Sequence, residues 1–171
     1  MNTKLHLAED VISSFRSAMR KFPATVTIVT ANDGIADQGM TVTAMTSVSM
    51  EPPSIMVCLN NRTRVHEMLL GQKFFAVNVL RREHGFLSDA FSGKVPAEKR
   101  FELSAWRRHA SGVLQLKDAH SSVVCRRVAA LPFGTHTIFI GEVLTTNVDM
   151  DSGSQPLLYE NGQYCTSLLA G

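Results

Sequence analysis

Gly39 to Asn60 reads GMTVTAMTSVSMEPPSIMVCLN, two extended segments joined at a Glu-Pro-Pro corner. In the first, Thr41, Thr43, Thr46, Ser47 and Ser49 set hydroxyls between apolar residues, whereas Ser54 to Leu59 is nearly all apolar. The first pattern suits a strand that can offer polar groups to a ligand; the second belongs in a core. Pro52 and Pro53 each lack an N–H, so they fix the corner and do not both sit in a central ladder. Taken alone, the hydroxyl-rich segment is equally an ordinary half-exposed barrel strand.

Upstream, the β-branched run Thr25 to Ala31 predicts a strand followed by an Asn-Asp-Gly turn. Before it, Val11, Phe15, Ala18, Met19 and Phe22 recur near helical spacing after Asp10, with Arg20 and Lys21 at the carboxyl end and Pro23 as a stop. This short amphipathic helix is expected to cover the open end or side of a sheet.

Downstream, Thr63 is placed to cap a helix over Arg64 to Gly71 whose inward stripe is Val65, Met68 and Leu69. A helix start flanked by Arg62 and Arg64 can bind a phosphate, and it is also what an ordinary capped surface helix looks like. Phe74 to Leu80 is a further strand. Arg81 and Arg82 follow it, either as a second contact for a dinucleotide or flavin phosphate or as a solvated pair. Phe86, Leu87, Ala90 and Phe91 form a second helical stripe before Ser92-Gly93, and Lys94 to Gly112 is expected to be a covering segment anchored by Phe101 and Trp106. The chain then returns to strands at Ser121–Val128, Thr135–Leu144, Pro156–Tyr159 and Gln163–Cys165, with a corner at Leu131 to Gly134 and a tight turn at Asn161-Gly162. Many short strands favour a compact barrel over strand–helix alternation.

The 171 residues suffice for one core, so a single domain over residues 1–171 is expected. A hydrophobic share of 44% against 19% charged residues describes a folded chain. A net charge of only +2, with interspersed signs, argues against a nucleic-acid surface. No stretch of spanning length is continuously apolar, and a signal-peptide pattern is missing, so no membrane role and a cytoplasmic location are expected. Cys58, Cys125 and Cys165 form no CxxC and read as reduced structural thiols, and the six histidines form no HExxH, so no metal site is indicated. There is no glycine-rich dinucleotide fingerprint and no phosphate loop; nicotinamide binding requires another architecture.

In order and spacing, FRSAMRKFPATVTIVTA, GMTVTAMTSVSMEPPSIMVCLN, FFAVNVL, LSDAF, GTHTIFIGEV and PLLYENGQY resemble the short flavin reductases that supply reduced flavin to partner monooxygenases. These include the reductase components of hydroxyphenylacetate and styrene oxygenation systems and a related pyrimidine-catabolic reductase. The resemblance implies a mainly β fold, a split β-barrel of flavin reductase type with short covering helices, in a homodimer. It implies FAD or FMN as flavin, NADH or NADPH as hydride donor, and a separate flavin-dependent monooxygenase receiving the product. It sets Met40, Thr41, Val42, Thr43 and Ala44, with Ser47, Val48 and Ser49, against the isoalloxazine. Asn60, Arg62 and Thr63 fall at the flavin phosphate. Asn78, in the VNVL segment, falls near the flavin tail, with Arg81 just beyond as the second positive contact. His136 falls on the nicotinamide side, as a positioning group; the acidic residue that some relatives carry before it is Thr135 here, so no acid-dependent role carries over. Tyr164 covers either ring or packs against a dimer mate. A noncatalytic flavin binder and a flavin-dependent oxidase on the same fold are the alternative functions.

Overall fold

The computed structural model describes residues 9–151 and 153–167. Helix α1 (Glu9–Met19) leads into β1 (Ala24–Thr25) and β2 (Thr27–Asn32), followed by β3 (Asp37–Val42), β4 (Met45–Met50) and β5 (Pro53–Asn60). Then come α2 (Arg64–Gly71), β6 (Phe74–Val79) and α3 (Gly85–Asp89), the last running on into a wide turn over Ala90–Lys94. The short strands β7 (Trp106–Arg108) and β8 (Leu114–Leu116) precede the long pair β9 (Ser121–Phe133) and β10 (His136–Val148), and β11 (Leu157–Glu160) and β12 (Gln163–Thr166) end the described chain.

Seven strands form one antiparallel sheet in the order β3-β2-β6-β9-β10-β5-β4. Its two edges, β3 and β4, are consecutive in the chain and separated only by Thr43 and Ala44. Three residue steps reach at most roughly 11 Å, so the sheet must curl until its edges nearly meet. No ladder joins them, and the result is a barrel split along the β3/β4 seam. Inside it pack Val29, Val57, Leu59, Phe75, Val77, Cys125 and Phe139, while Val65 and Leu69 of α2 plug one end. Burial pushes the Cys125 thiol up to about 12, leaving it a core hydrophobe. Gly141 sits where the β9–β10 register slips, and a Cβ there would lie 2.5 Å from the Phe75 ring. Only glycine lets strand and ring approach so closely.

A second layer covers the outside of β2. Ile28, Leu80, Leu87, Phe91, Leu116 and Leu157 form its core, so β2 is buried on both faces, which is why its sequence lacks polar alternation. Its threonines satisfy their hydroxyls on main chain, Thr27 donating to the Val42 carbonyl and Thr30 to that of Leu114. Phe101 and Trp106 stack against Phe91 with ring centroids 5.2 and 5.6 Å away, pinning the covering segment as expected.

Two elements depart from the sequence-based expectation. Strand β9 runs straight through Leu131-Pro132-Phe133, and the turn falls at Gly134-Thr135. Proline is tolerated because β6 pairs only with Ser121–Arg126; beyond that, β9 has β10 on one side and no strand on the other to miss the N–H. Helix α1 does not cover the sheet: its apolar stripe stays uncovered, with Phe15 65% and Phe22, just past its end, 63% exposed. Among the described residues no helix is long and apolar enough to cross a membrane.

Candidate functional site

The open edge of β3 is the floor of a groove. At one end, a cavity of about 390 Å³ is lined by Met40 and Thr41, by Thr63, Arg64 and Val65 at the start of α2, and by Phe91 and Ser92. Thr41 and Ser92 also line the next cavity, of about 650 Å³, which continues past Thr43 to Ser88, Asp89, Lys94, Tyr159 and Tyr164. Gly39 allows the floor to lie this close to its wall, since a Cβ there would stand 2.6 Å from the Phe91 ring.

The α2 end carries the donors. Thr63 caps the helix, its hydroxyl oxygen accepting from the His66 N–H at 3.3 Å while its proton goes to the Asn60 carbonyl at 2.9 Å. The amides of Arg64 and Val65 belong to the first turn and have no intrahelical acceptor, and both residues line the groove, so they can serve as anion donors there. Arg64 is paired with Glu67 at 2.8 Å on the exposed side. Beneath, His66 Nε2 lies 2.8 Å from the Thr137 hydroxyl, which donates to Asn61 Oδ1 at 3.1 Å. That direction makes His66 Nε2 the donor to Thr137. The chain of bonds locks the start of α2 to the first residues of β10.

The other end is aromatic and polar. The Tyr164 hydroxyl donates to Asp89 Oδ1 at 2.8 Å and lies 2.9 Å from Ser88 Oγ, while Lys94 Nζ holds the other Asp89 oxygen at 2.7 Å. The Lys94 hydrogen bond, and then that of Tyr164, hold the Asp89 carboxyl below the usual carboxylate range. Partial burial pushes the Tyr164 hydroxyl up, so at neutral pH it stays a protonated donor. Thr41 donates to the Ser88 carbonyl at 2.7 Å, tying floor to wall.

Of the residues singled out in the sequence, Met40, Thr41, Thr43, Thr63 and Tyr164 line this groove. Ala44 lines its continuation toward α1, and Val42 is buried at the end of β3. The others lie elsewhere. Ser47 and Val48 are exposed on β4, and Ser49 Oγ is spent on the Glu51 main chain of the hairpin turn. Asn60 accepts from the Arg62 N–H at 2.9 Å, and Arg62 itself is exposed. His136 is exposed beside Asn60 across the β5–β10 ladder, with Nδ1 2.9 Å from the Thr135 hydroxyl. Arg81 turns to Asp149, 2.6 Å away, instead of to the groove. Asn78 differs most: it is fully buried, its Nδ2 donating to the Ile28 carbonyl at 3.0 Å and its Oδ1 accepting from the Leu116 N–H at 2.8 Å, so its side chain has no surface to offer a flavin tail. Sequence reasoning passed over Ser88, Asp89, Ser92, Lys94 and Tyr159. The one local signal was Ser88-Asp89 interrupting an apolar helical stripe. Among the described residues no three metal-ligating side chains gather.

The groove fits a flavin: an unpaired strand edge for a hydrogen-bonding ring, helix-start donors with arginine for a phosphate, and a volume in the range of cofactor sites. Residues 19–167 match the flavin reductase like domain. Over 165 residues the chain is 57% identical to the reductase component of the FADH(2)-dependent resorcinol hydroxylase of Rhizobium sp. (strain MTP-10005), spanning 95% of this chain and 91% of that one. It is 36% identical over 152 residues to the FMN reductase (NADH) RutF of Variovorax paradoxus (strain S110), spanning 89% and 83%. Among solved structures, the NADH:FAD oxidoreductase SgcE6 of Streptomyces globisporus C-1027, in complex with NAD and FAD fragments, matches with a TM-score of 0.86 at 26% identity over 96% of this chain and 97% of that one. With its sheet split along the β3/β4 seam, the chain belongs to the short-chain flavin reductases, the split-barrel family that provides the reductase components of two-component monooxygenase systems.

Proposed function

We propose that this chain is an NAD(P)H-dependent flavin reductase, with FAD and NADH as its first substrates, that hands reduced flavin to a separate monooxygenase. The observation that carries this reading is the continuous groove along the free edge of β3, with anion donors at one end and Tyr164 at the other. The similarity to a reductase component whose hydroxylase is FADH(2)-dependent supports FAD over FMN. The chemistry that a bound flavin supplies is acceptance of a hydride from reduced nicotinamide held against its ring. The chain's own part is orientation: the β3 edge at Met40 to Ala44 holds the ring's polar rim, and the first turn of α2 holds the phosphate. His136 acts from the rim as a positioning group.

A homodimer belongs to the same proposal. The outer face of β9, β10 and β5 carries an apolar strip, where register sets Leu131 beside Ile138 and Cys58, and Phe133 stands next to the polar pair His136 and Asn60. Leu131 is 61% and Phe133 83% exposed. A contiguous face of this kind is what a subunit interface covers. It would bring His136, on that same face, beside a partner's groove, in keeping with a flavin at the boundary.

NADH and NADPH, each paired with FAD, FMN and riboflavin, provide the test by steady-state oxidation of the donor. Turnover with NADH and FAD supports the reading; flavin binding without donor oxidation would make the protein a binder. Placement of the phosphate has its own test. Thr63→Ala and Arg64→Ala are each expected to weaken FMN about three- to tenfold while leaving riboflavin within about twofold. Equal losses for both flavins would move the phosphate away from α2.

A further inference from the structure

Asp89 and Lys94 are the formally charged residues lining the central cavity of about 650 Å³, and they are each other's partners, with Lys94 Nζ 2.7 Å from Asp89 Oδ2. Gly93, at φ 114°, turns the main chain back at the end of Ala90–Lys94 and lets the ammonium reach the carboxylate. Ser92 Oγ braces that turn, donating to the Asp89 carbonyl at 2.8 Å. The other carboxylate oxygen takes the Tyr164 proton at 2.8 Å, and the Tyr164 ring rests beside Gly85, where a Cβ would stand 3.7 Å away. The cation and the phenol O–H of this cavity are therefore both taken up by one carboxylate.

Charge distinguishes the two redox states of a flavin only at the ring. The phosphate is the same in both, so the donors at the start of α2 hold oxidised and reduced flavin alike. The oxidised isoalloxazine is neutral, whereas the two-electron reduced ring at neutral pH is an anion with its charge at the N1 and C2 edge. A free ammonium beside the ring would hold the reduced form preferentially. A reductase whose product leaves for another protein works against such retention, because slow product release limits turnover.

We propose that Asp89 sets the release of reduced flavin: by pairing with Lys94 and holding the Tyr164 hydroxyl, it keeps the ring end of the groove electrically neutral, so the reduced ring is not retained. Asp89 is a positioning residue in this role and acts through Lys94 and Tyr164. The proposal rests on the flavin reductase reading of the groove.

The test is a charge cycle read by the midpoint potential of bound FAD, measured by dye-coupled chemical reduction without nicotinamide, and by Kd for oxidised FAD. Asp89→Asn keeps an acceptor for Tyr164 and frees Lys94. It is expected to favour reduced over oxidised FAD about tenfold, between the effect of an exposed ion pair and that of a partly buried one. For a two-electron couple this raises the potential by about 30 mV. Lys94→Gln alone leaves a bare carboxylate and should shift the potential downward. Asp89→Asn combined with Lys94→Gln should return the ratio of the two affinities to within about twofold of the unaltered protein. An unchanged potential in Asp89→Asn overturns the proposal, as does a shift of the same sign in both single variants. So does an upward shift that persists in the double variant, which removes Lys94 as its cause, or an equal loss of affinity for both redox states, which marks a structural role. If the unaltered protein binds FAD yet oxidises neither NADH nor NADPH, the reductase reading falls and the release role with it; turnover together with a flat charge cycle leaves that reading standing and removes only Asp89.

Discussion

Asn78→Ala is expected to lower the free energy of unfolding by about 2–4 kcal/mol. The side chain is fully buried and spans two layers, taking the Leu116 N–H on Oδ1 and giving Nδ2 to the Ile28 carbonyl. Truncation leaves both main-chain groups without these partners in an environment closed to water, each at a cost of about 1–3 kcal/mol. Asn78→Asp sharpens the point: the oxygen that replaces Nδ2 would face the Ile28 carbonyl, and the buried carboxylate has no cation among the hydrogen-bond partners of Asn78. Its stability is expected to be lower at pH 8 than at pH 5, because burial holds the folded-state acid above its unfolded range and folding then loses ground as pH rises through it. Urea midpoints at the two pH values check both variants. A shift below about 0.5 kcal/mol for Asn78→Ala, the range of ordinary surface substitutions, would mean that the covering strand β8 is not held this way.

The second large effect is expected at the outer face of the long hairpin. Leu131→Glu combined with Phe133→Glu should convert a dimer into a monomer, raising the dissociation constant by about a thousandfold or more. Loss of two central apolar anchors costs about 2 kcal/mol each, and desolvating two carboxylates adds to this. Both side chains already face water, so the monomer's own fold should survive with its unfolding temperature little changed. Sedimentation velocity with and without FAD reads the outcome. If the proposed boundary is right, FAD affinity falls along with dimerisation; a variant that stays dimeric removes this face from the interface.

How much of this was legible beforehand depended on how local the cause was. Helix α2 runs over the predicted Arg64–Gly71 with Thr63 as its cap, because cap, stripe and stop all lie within ten residues. Most strands of the large sheet followed from β-branched runs and turn residues, whereas β7 and β8 carried no such run and were not foreseen. Pro132 misled because its tolerance depends on where a different strand, β6, ends, and that is visible only in the folded sheet. Asn78, set near the flavin tail by the resemblance alone, has its side chain taken up by β2 and β8, partners far from it in the chain that no local pattern announces. The groove's far wall was hidden in the same way. Tyr164 meets Ser88 and Asp89 across some 75 residues of chain, and no local pattern joins LSDAFSGK to the terminal hairpin. Even the resemblance that picked out both segments did not say they touch. Helix α1 shows the reverse error, since its apolar stripe is plain in the sequence and yet does not pack on the sheet.

Hydride transfer to flavin can be observed in a single turnover. The protein, mixed anaerobically with oxidised FAD and then with one equivalent of NADH, is predicted to bleach the flavin's visible absorbance in step with loss of the NADH absorbance, one flavin per NADH, and deuterium at the transferred C4 position should slow the bleaching by a primary isotope effect. FAD that binds, shown by a perturbed spectrum, yet keeps its oxidised absorbance in the presence of NADH and NADPH would contradict the account and leave the groove as a binding site without the reaction.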